Sequence, residues 1–422
     1  MAFRDHINSA EQYSNTVSVN HEMMDESVRL EHRPIHFKSV LECPGHSAAM
    51  NILTRQNLCS AWSMTPGQLL DALGFAMANP KQPRIVESNE VPCLENRAEL
   101  DLNKIPIPWH HKQDAGRYMS ASVIVAERNG QRNLSFHRQL VRSPDKMTVR
   151  MVPRHLRQFT DEGRADEEEL SIAIINGVDP TILLAAAMSF NERVDEFTIA
   201  AALHSAVHGR ELELVRLPNG VHVPTDAEYV MEARITLQDD DEGPYVDITG
   251  TIDEIRQQPV IEVDSIHHRN DPVFHALLPA GSEHRTLMGL PRAPTIRAAV
   301  SNVCECNDVH LSEGGCGWLS AVVQITPKDA GSANAAIQAA LAGHPSMKQV
   351  TIVDTDVAVD NPIRVEWAMM TRWQPDSDTV ILSNQKGSSL DPSRAKNGTT
   401  SKVGFDATIP FGADKSIYHA VF

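Results

Sequence analysis

The dipeptide Asn129-Gly130 constrains this chain more than any other stretch, because YMSASVIVAE leads into it and RNLSFHRQLV follows close behind. Both residues tolerate positive φ, and two such residues between strand-like runs mark a tight hairpin. After SPDK a third run, MTVRMV, completes the pattern. Three strands joined by two short turns predict a β-meander over 118–152.

The same reading extends in both directions. Residues 1–105 mix helical and strand patterns, and PGQLLDALGFAMANP at 66–80 is expected as a helix bracketed by prolines. Beyond the meander, an acidic segment leads to the strand SIAIING. Asp179-Pro180 then supplies a capping acid and a proline suited to the first turn of a helix. That helix is expected to run, with a break near Ser189-Phe190, to a stop at Gly209. Strands return at RELELVRL, at AEYVMEARITL and, past an acidic loop, at QPVIEVDSI. The middle of the chain is therefore a sheet or barrel interrupted by a helical pair. From about residue 300, WLSAVVQIT, GSANAAIQAALAG, KQVTIVDTDV, NPIRVEWAMMTRW and TVILS alternate strand with helix, which predicts an α/β domain.

Composition excludes several functions. A net charge of -17 argues against nucleic acid or an anionic membrane as partner. The longest apolar run, TILLAAAM, is too short to span a bilayer, and MAFRDHINSAEQ lacks a leader pattern. Six cysteines in 422 residues are too sparse for a disulfide scaffold, so a cytoplasmic location is expected. Cys304, Cys306, His310 and Cys316 offer zinc-ligand types, but their spacing favours buried thiols in a core strand. No lysine lies between Lys146 and Lys328, which removes Schiff-base chemistry from the middle region. Nicotinamide, P-loop, α/β-hydrolase and zincin chemistries lack their markers as well.

One stretch resists a bland account. LQDDDEGPYVDITG, at 237–250, crowds four consecutive acids before Gly243-Pro244 and then sets Asp247 among apolar neighbours. A wet surface loop would tolerate this, whereas a buried one must give the carboxylates partners. Asn133 and Arg138 in the second strand, His155 after the third, and Glu196 beside Asp195 in an apolar helix are equally out of place. Each has an ordinary structural explanation. Together Asn133, His155 and Glu196 supply an amide oxygen, an imidazole and a carboxylate, a set suited to manganese or magnesium.

Colinear stretches carry a resemblance to the UbiD family of decarboxylases, which use prenylated FMN. IPIPWHHKQDAGRYMSASVIV resembles the opening of the family's flavin-binding domain, and RNLSFHR its N-x4-R strand. VPRHL is similar to its P-x-H-[IL] segment, AAMSFNERVDEFTIAAAL to its M-x7-E helix, and EGPYVDITG to its EGP-x-x-[ED]-x-TG signature. SMKQVTIVDTDVAVDNPIRVEWAMMTR and GTTSKVGFDAT resemble its C-terminal domain. The resemblance implies an α/β (α+β) fold in three parts. These are an N-terminal α/β domain (1–105), a central split β-barrel flavin-binding domain with a helical insert (106–299), and a C-terminal α/β domain used in oligomerisation (300–422).

For the site, the resemblance implies a divalent ion, Mn2+ or Mg2+, held by Asn133, His155 and Glu196 and gripping the cofactor phosphate. It also implies K+ near Met188 and Glu196, with Lys348 as a second positive contact to that phosphate. Asn133, Leu134, Ser135, Phe136, His137 and Arg138 of the motif strand, with Arg154, complete the cofactor-binding set. Arg138, Glu242 and Asp247 form the catalytic network: Arg138 steadies the substrate carboxylate, Glu242 orients Arg138 and helps relay protons, and Asp247 donates the proton. In the family the substrate's double bond joins the flavin by cycloaddition, CO2 leaves, and product departs by the reverse step. The implied reaction is non-oxidative decarboxylation, in one or both directions, of an α,β-unsaturated or aromatic acid. Isoprenoid-pathway and polyketide-derived alkenoic acids are candidate substrates. A flavin prenyltransferase as cofactor supplier, and further copies of the chain in a homodimer or larger homo-oligomer, are the implied partners.

Some positions depart from the family pattern. Asp247 stands where glutamate is common, Arg154 where glutamine often precedes the histidine, and AAMSF replaces Ser-Ser-Met-Pro. In an ideal strand Asn133 and Arg138, five apart, face opposite sides, so a bulge or strong twist is expected between them. Two other functions compete: a non-catalytic flavin- or metal-binding subunit, and a metal-dependent hydrolase on Asn133, His155 and Glu196. A mere binder needs none of Arg138, Glu242 and Asp247, so their presence favours the decarboxylase.

Overall fold

The computed structural model describes residues 3–30, 32–87, 90–190 and 192–419. The chain forms two compact units, one of Met1–Trp62 with Phe75–His284 and one of Ser63–Gly74 with Arg285–Phe422. The expected segments 1–105 and 106–299 thus share most of one unit.

The first unit is built on a nine-stranded sheet whose pairs are all antiparallel. Its strands are β1 (Tyr118–Met119), β2 (Val123–Arg128), β3 (Gln131–Phe136), β4 (Gln139–Val141), β5 (Lys146–Val149), β6 (Leu170–Asn176) and β7 (Tyr229–Glu242). After the short ribbon of β8 (Tyr245–Val246) and β9 (Ile252–Asp253) comes β10 (Arg256–His268). Spatial order is β1-β4-β5-β10-β7-β6-β2-β3, with Asn96–Arg97 added alongside β10. The two ends of this path do not pair with each other, so the sheet is open. A second sheet of four short strands, Glu11–Val17, Ile35–Val40, Ser47–Met50 and Val273–His275, belongs to the same unit.

The Asn129-Gly130 hairpin forms as expected: both residues take positive φ and join β2 to β3 in register. The meander does not continue, however. The run RNLSFHRQLV breaks after Phe136, so β3 pairs with β2 at one end of the sheet and β4 pairs with β1 and β5 at the other. The expected bulge between Asn133 and Arg138 is therefore a full break in the strand. His137 and Arg138 lie in it.

The acidic run is also not a loop. Asp239, Asp240, Asp241 and Glu242 end strand β7, opposite Pro259, Gln258, Gln257 and Arg256 of β10. Alternation explains why β7 holds its place: Tyr229, Met231, Ala233 and Ile235 all enter one core cluster with Ile261 and Val263. The helix α1 (His155–Ala165) adds Leu156 and Phe159, one turn apart, to that cluster. Asp179 caps α2 (Pro180–Ala186), accepting from the Thr181 N–H, and Asp195 caps α3 (Glu196–His208), which stops at left-handed Gly209.

The second unit holds a five-stranded sheet in the order 305–311, 320–326, 349–353, 399–407, 379–386. The middle three strands are parallel, as the alternating pattern requires. Gly404 has no substitute here, since a Cβ would lie 2.2 Å from Ile337 of the helix Ser332–Gly343. Cys304 and Cys306 are buried thiols and Cys316 is half-buried, and among the described residues they do not gather with His310 as a ligand set. Among the described residues no helix is long and apolar enough to cross a membrane.

Candidate active site

The break after β3 turns the chain so that two polar centres develop from one short segment. In the first, Asn133 and Leu134 reach α3. Glu196, at its first turn, is buried, and its carboxyl oxygens lie 3.1 and 3.3 Å from Asn133 Nδ2 and 2.8 Å from the Leu134 N–H. These donors are all neutral. Burial raises the Glu196 pKa to about 8, the neighbouring Asp195 adds to the rise, and hydrogen bonds from Leu134 and Asn133 offset only part of it. Asp195 itself is held by Arg132 at 3.1 Å.

The Asn133 amide is oriented by a chain of hydrogen bonds. Its Oδ1 lies 2.9 Å from Ser135 Oγ, which lies 3.0 Å from His137 Nε2, while His137 Nδ1 is 2.9 Å from the Arg150 carbonyl. Burial lowers the His137 pKa to about 4, so the ring is neutral and has one N–H. That proton belongs on Nδ1, facing the carbonyl. Nε2 must then accept from Ser135, and Ser135 Oγ becomes an acceptor. Turning the amide over satisfies every group: its NH2 meets Ser135 and its oxygen faces Glu196. An amide oxygen beside a buried carboxyl with no cationic partner is what a divalent ion requires, so the residues present fit one.

His155 opens α1, which packs on β3. Met188 is buried just after α2, and Arg154 and Phe136 are at least partly exposed. Lys348 is in the second unit, where its ammonium meets Asp391 at 2.9 Å and the Ser393 hydroxyl.

The second centre is Arg138, only 8% exposed. Its Nε and Nη2 form a fork on Glu242, at 2.8 and 2.9 Å, while Nη1 meets Asp247 at 2.7 Å and Nη2 meets Asp253 at 2.9 Å. The guanidinium carbon sits 4.5 Å over the Tyr245 ring, and the Tyr118 hydroxyl donates to Glu242 at 3.2 Å. Burial lowers the Arg138 pKa, but its bonds to Glu242 and the charge of Asp247 outweigh that and raise it. Charge balances locally, because Arg256 meets Asp253 at 2.6 Å and Arg150 lies 3.6 Å from it. The rest of the acidic run is partnered too: Asp239 by Arg164, Asp240 by Arg142 and Asp241 by the Gln257 amide. Glu242 is fully buried, whereas Asp247 and Asp253 each keep 22% of their side chains exposed. Glu242 is therefore shut off from solvent, and Asp247 and Asp253 stay in contact with it.

Gly243 makes the turn possible, with φ of 98° and a Cβ position 2.8 Å from the Glu254 carbonyl oxygen. Asp114 then pins the ribbon by accepting from the Val246 N–H at 2.8 Å. Sequence reasoning missed Asp253, Arg256 and Tyr245. A signal was present: reading 245–253 as a ribbon pairs Tyr245 with Asp253 and puts Asp247 on the same face, two residues along.

Comparisons with known proteins place the chain in a family. The UbiD profile, described as the 3-octaprenyl-4-hydroxybenzoate carboxy-lyase Rift-related domain, matches residues 84–282, and the corresponding C-terminal domain matches 285–407. Anhydromevalonate phosphate decarboxylase of Methanocaldococcus jannaschii is 40% identical over 89% of this chain and 89% of its own. The UbiD-class enzyme HmfF of Pelotomaculum thermopropionicum, solved in complex with FMN, superposes with a TM-score of 0.93 at 31% identity, covering 100% of this chain and 97% of its own. An evolved dimeric form of HmfF, in complex with prFMN, gives 0.89 at 30% identity, covering 98% and 96%.

Proposed function

The chain belongs to the UbiD family and is a carboxy-lyase, and from that premise we propose that it decarboxylates a small α,β-unsaturated acid of the anhydromevalonate phosphate type, using prenylated FMN. The observation that carries this reading is the Arg138 fork gathered with three acids. Loss of CO2 from a vinylic carbon leaves an electron pair that no side chain can delocalise, and prenylated FMN, when bound, supplies the missing sink. Asn133, His155 and Glu196 would hold Mn2+ or Mg2+ against the cofactor phosphate, with K+ near Met188. A buried phosphate dianion needs such cations. Ser135, His137, Leu134, Phe136 and Arg154 would line the same cofactor.

The chain's own groups divide the remaining work. Arg138 spends four hydrogen bonds on its acids, leaving one N–H of Nη1 for the substrate carboxylate. Asp247, on the same nitrogen, is partly open to solvent, from which it draws the proton it will donate. Glu242, sealed behind Tyr118 and Tyr245, holds Arg138 in place throughout. Asp247 then delivers its proton to the carbon that lost CO2. A metal-dependent hydrolase on Asn133 and Glu196 would leave this network without a task. A cytoplasmic setting, a flavin prenyltransferase as supplier and a homo-oligomer belong to the same reading.

Production with and without a flavin prenyltransferase tests it. The co-produced protein is expected to carry a visible chromophore and to release CO2 from anhydromevalonate phosphate faster than from the dephosphorylated acid. No bound flavin, or no CO2 release from any acid in an alkenoic and aromatic panel, overturns the reading.

A further inference from the structure

Away from the Arg138 network, the two helices α2 and α3 enclose a second polar cluster that the chemistry above does not use. Asp179, the cap of α2, meets His208 and His204 of α3, which lie four residues apart and so project from one helix face. His208 Nε2 is 3.0 Å from Asp179 Oδ2, and His204 Nδ1 is 3.8 Å from Asp179 Oδ1. One ligand atom from each residue falls within 4.8 Å of the others. Ligands about 2.0–2.1 Å from a tetrahedral ion stand about 3.3 Å from one another, so only small movements would close this set around a cation.

The cluster is built as metal sites are built. All three side chains are buried, at 3% exposure or less. The Thr181 N–H and hydroxyl both bind Asp179 Oδ1, at 2.9 and 2.6 Å, which fixes the carboxylate and turns Oδ2 to His208. His204 Nε2 is buried with no hydrogen-bond partner among the described residues, and the same holds for Nε2 of nearby His6. Trp62 packs edge-on against both His6 and His208.

We propose that Asp179, His204 and His208 bind one divalent ion of the zinc class. Two imidazoles and a carboxylate suit Zn2+ or Co2+ better than Mg2+, which prefers an all-oxygen set. Such an ion clips the C-terminal half of α3 to the start of α2. Because Glu196 opens the same helix, the clip also steadies the residue that faces Asn133.

Metal analysis tests this on a Glu196→Gln background, which empties the other candidate cation site. After growth with added zinc and gel filtration, about one Zn2+ per chain is expected to remain, and His204→Gln or His208→Gln to reduce it at least tenfold. Grown with cobalt instead, the parent is expected to show the visible bands of a four-coordinate site, lost in either histidine variant. X-ray absorption on the parent, which needs no folded histidine variant, is expected to give two nitrogens and one or two oxygens at about 2.0–2.2 Å. The proposal is overturned if the Glu196→Gln chain retains neither zinc nor cobalt. It is equally overturned if retention is unchanged in folded histidine variants, or if absorption shows a ligand set without imidazole.

Discussion

Arg138 and Asn133 lie five residues apart, yet the centres around them are finished to different degrees. Around Arg138 every charge has its opposite: three acids, three arginines and two tyrosines close the network without any ligand. Around Asn133 a carboxyl is buried with neutral donors only. The first centre is closed by folding alone, whereas the second, on the proposed reading, takes an ion. Substitutions should therefore act in opposite ways on stability while both abolish turnover.

The largest effect is expected at Arg138. Arg138→Ala leaves Glu242 buried beside Asp247 and Asp253 with their shared cation gone. Thermal or urea unfolding should show a loss of about 3–5 kcal/mol, because an uncompensated buried charge remains. CO2 release should fall by about 10³-fold or more. Arg138→Lys should recover part of the stability but little turnover, since an ammonium cannot form the fork. Equal stability of wild type and Arg138→Ala would break the comparison.

Next comes Glu196→Gln, which removes a carboxyl already protonated below about pH 8 when no cation is bound. The metal-free chain should be as stable as wild type or more so. Manganese and flavin content should fall to near zero by metal analysis and absorbance, with turnover down by about 10²-fold or more. A marked loss of stability in the metal-free variant would show that Glu196 is already neutralised by the fold.

Within the Arg138 network itself, Asp247→Asn should lower kcat by about 10²-fold with KM nearly unchanged, as expected for a lost proton donor. Glu242 and Asp253 still hold Arg138, so the fold should persist. Asp253→Asn touches only one Nη2 bond and should cost about tenfold or less. If the two variants are equal, the proton-donor role does not belong to Asp247 alone.

The two centres were also unequally legible. Strand and helix patterning located most elements between 118 and 268 and the alternation after 318, because apolar alternation and caps are local signals, but it missed the helix His155–Ala165. Asn133 and Glu196 stood out as polar residues in apolar elements, and Glu242 and Asp247 as acids beside a turn. The break at His137 was not legible, since RNLSFHRQLV reads as one strand and only the competition between two ladders splits it. Asp253 was missed for a similar reason. Its role depends on pairing with Tyr245 across a ribbon of two residues per strand, too short for alternation to stand out in the sequence.

The smallest predicted effect lies in the break itself, where His137 links the two centres through Ser135 to Asn133 and through the Arg150 carbonyl toward Arg150 and Asp253. Its pKa falls from an ordinary 6.5 to about 4, chiefly through burial, with Arg154 and Arg150 adding to the fall and the Arg150 carbonyl opposing it. A depressed histidine stabilises the fold above its unfolded pKa, and that contribution is lost as pH falls through the folded value, because the unfolded chain takes the proton first. Wild-type Tm should therefore decline between pH 6.5 and pH 4. His137→Asn keeps a donor for the carbonyl but cannot titrate, so its decline should be shallower by about 2 °C or more. Metal retention should follow the same axis: a protonated Nε2 forces Ser135 to donate to Asn133 and turns the amide oxygen away from Glu196. Manganese measured after equilibration at pH 3.5 and pH 7, either side of that value, should drop more in wild type than in His137→Asn. Parallel losses in the two proteins would mean that the link through Ser135 does not orient Asn133, and that the two centres are independent.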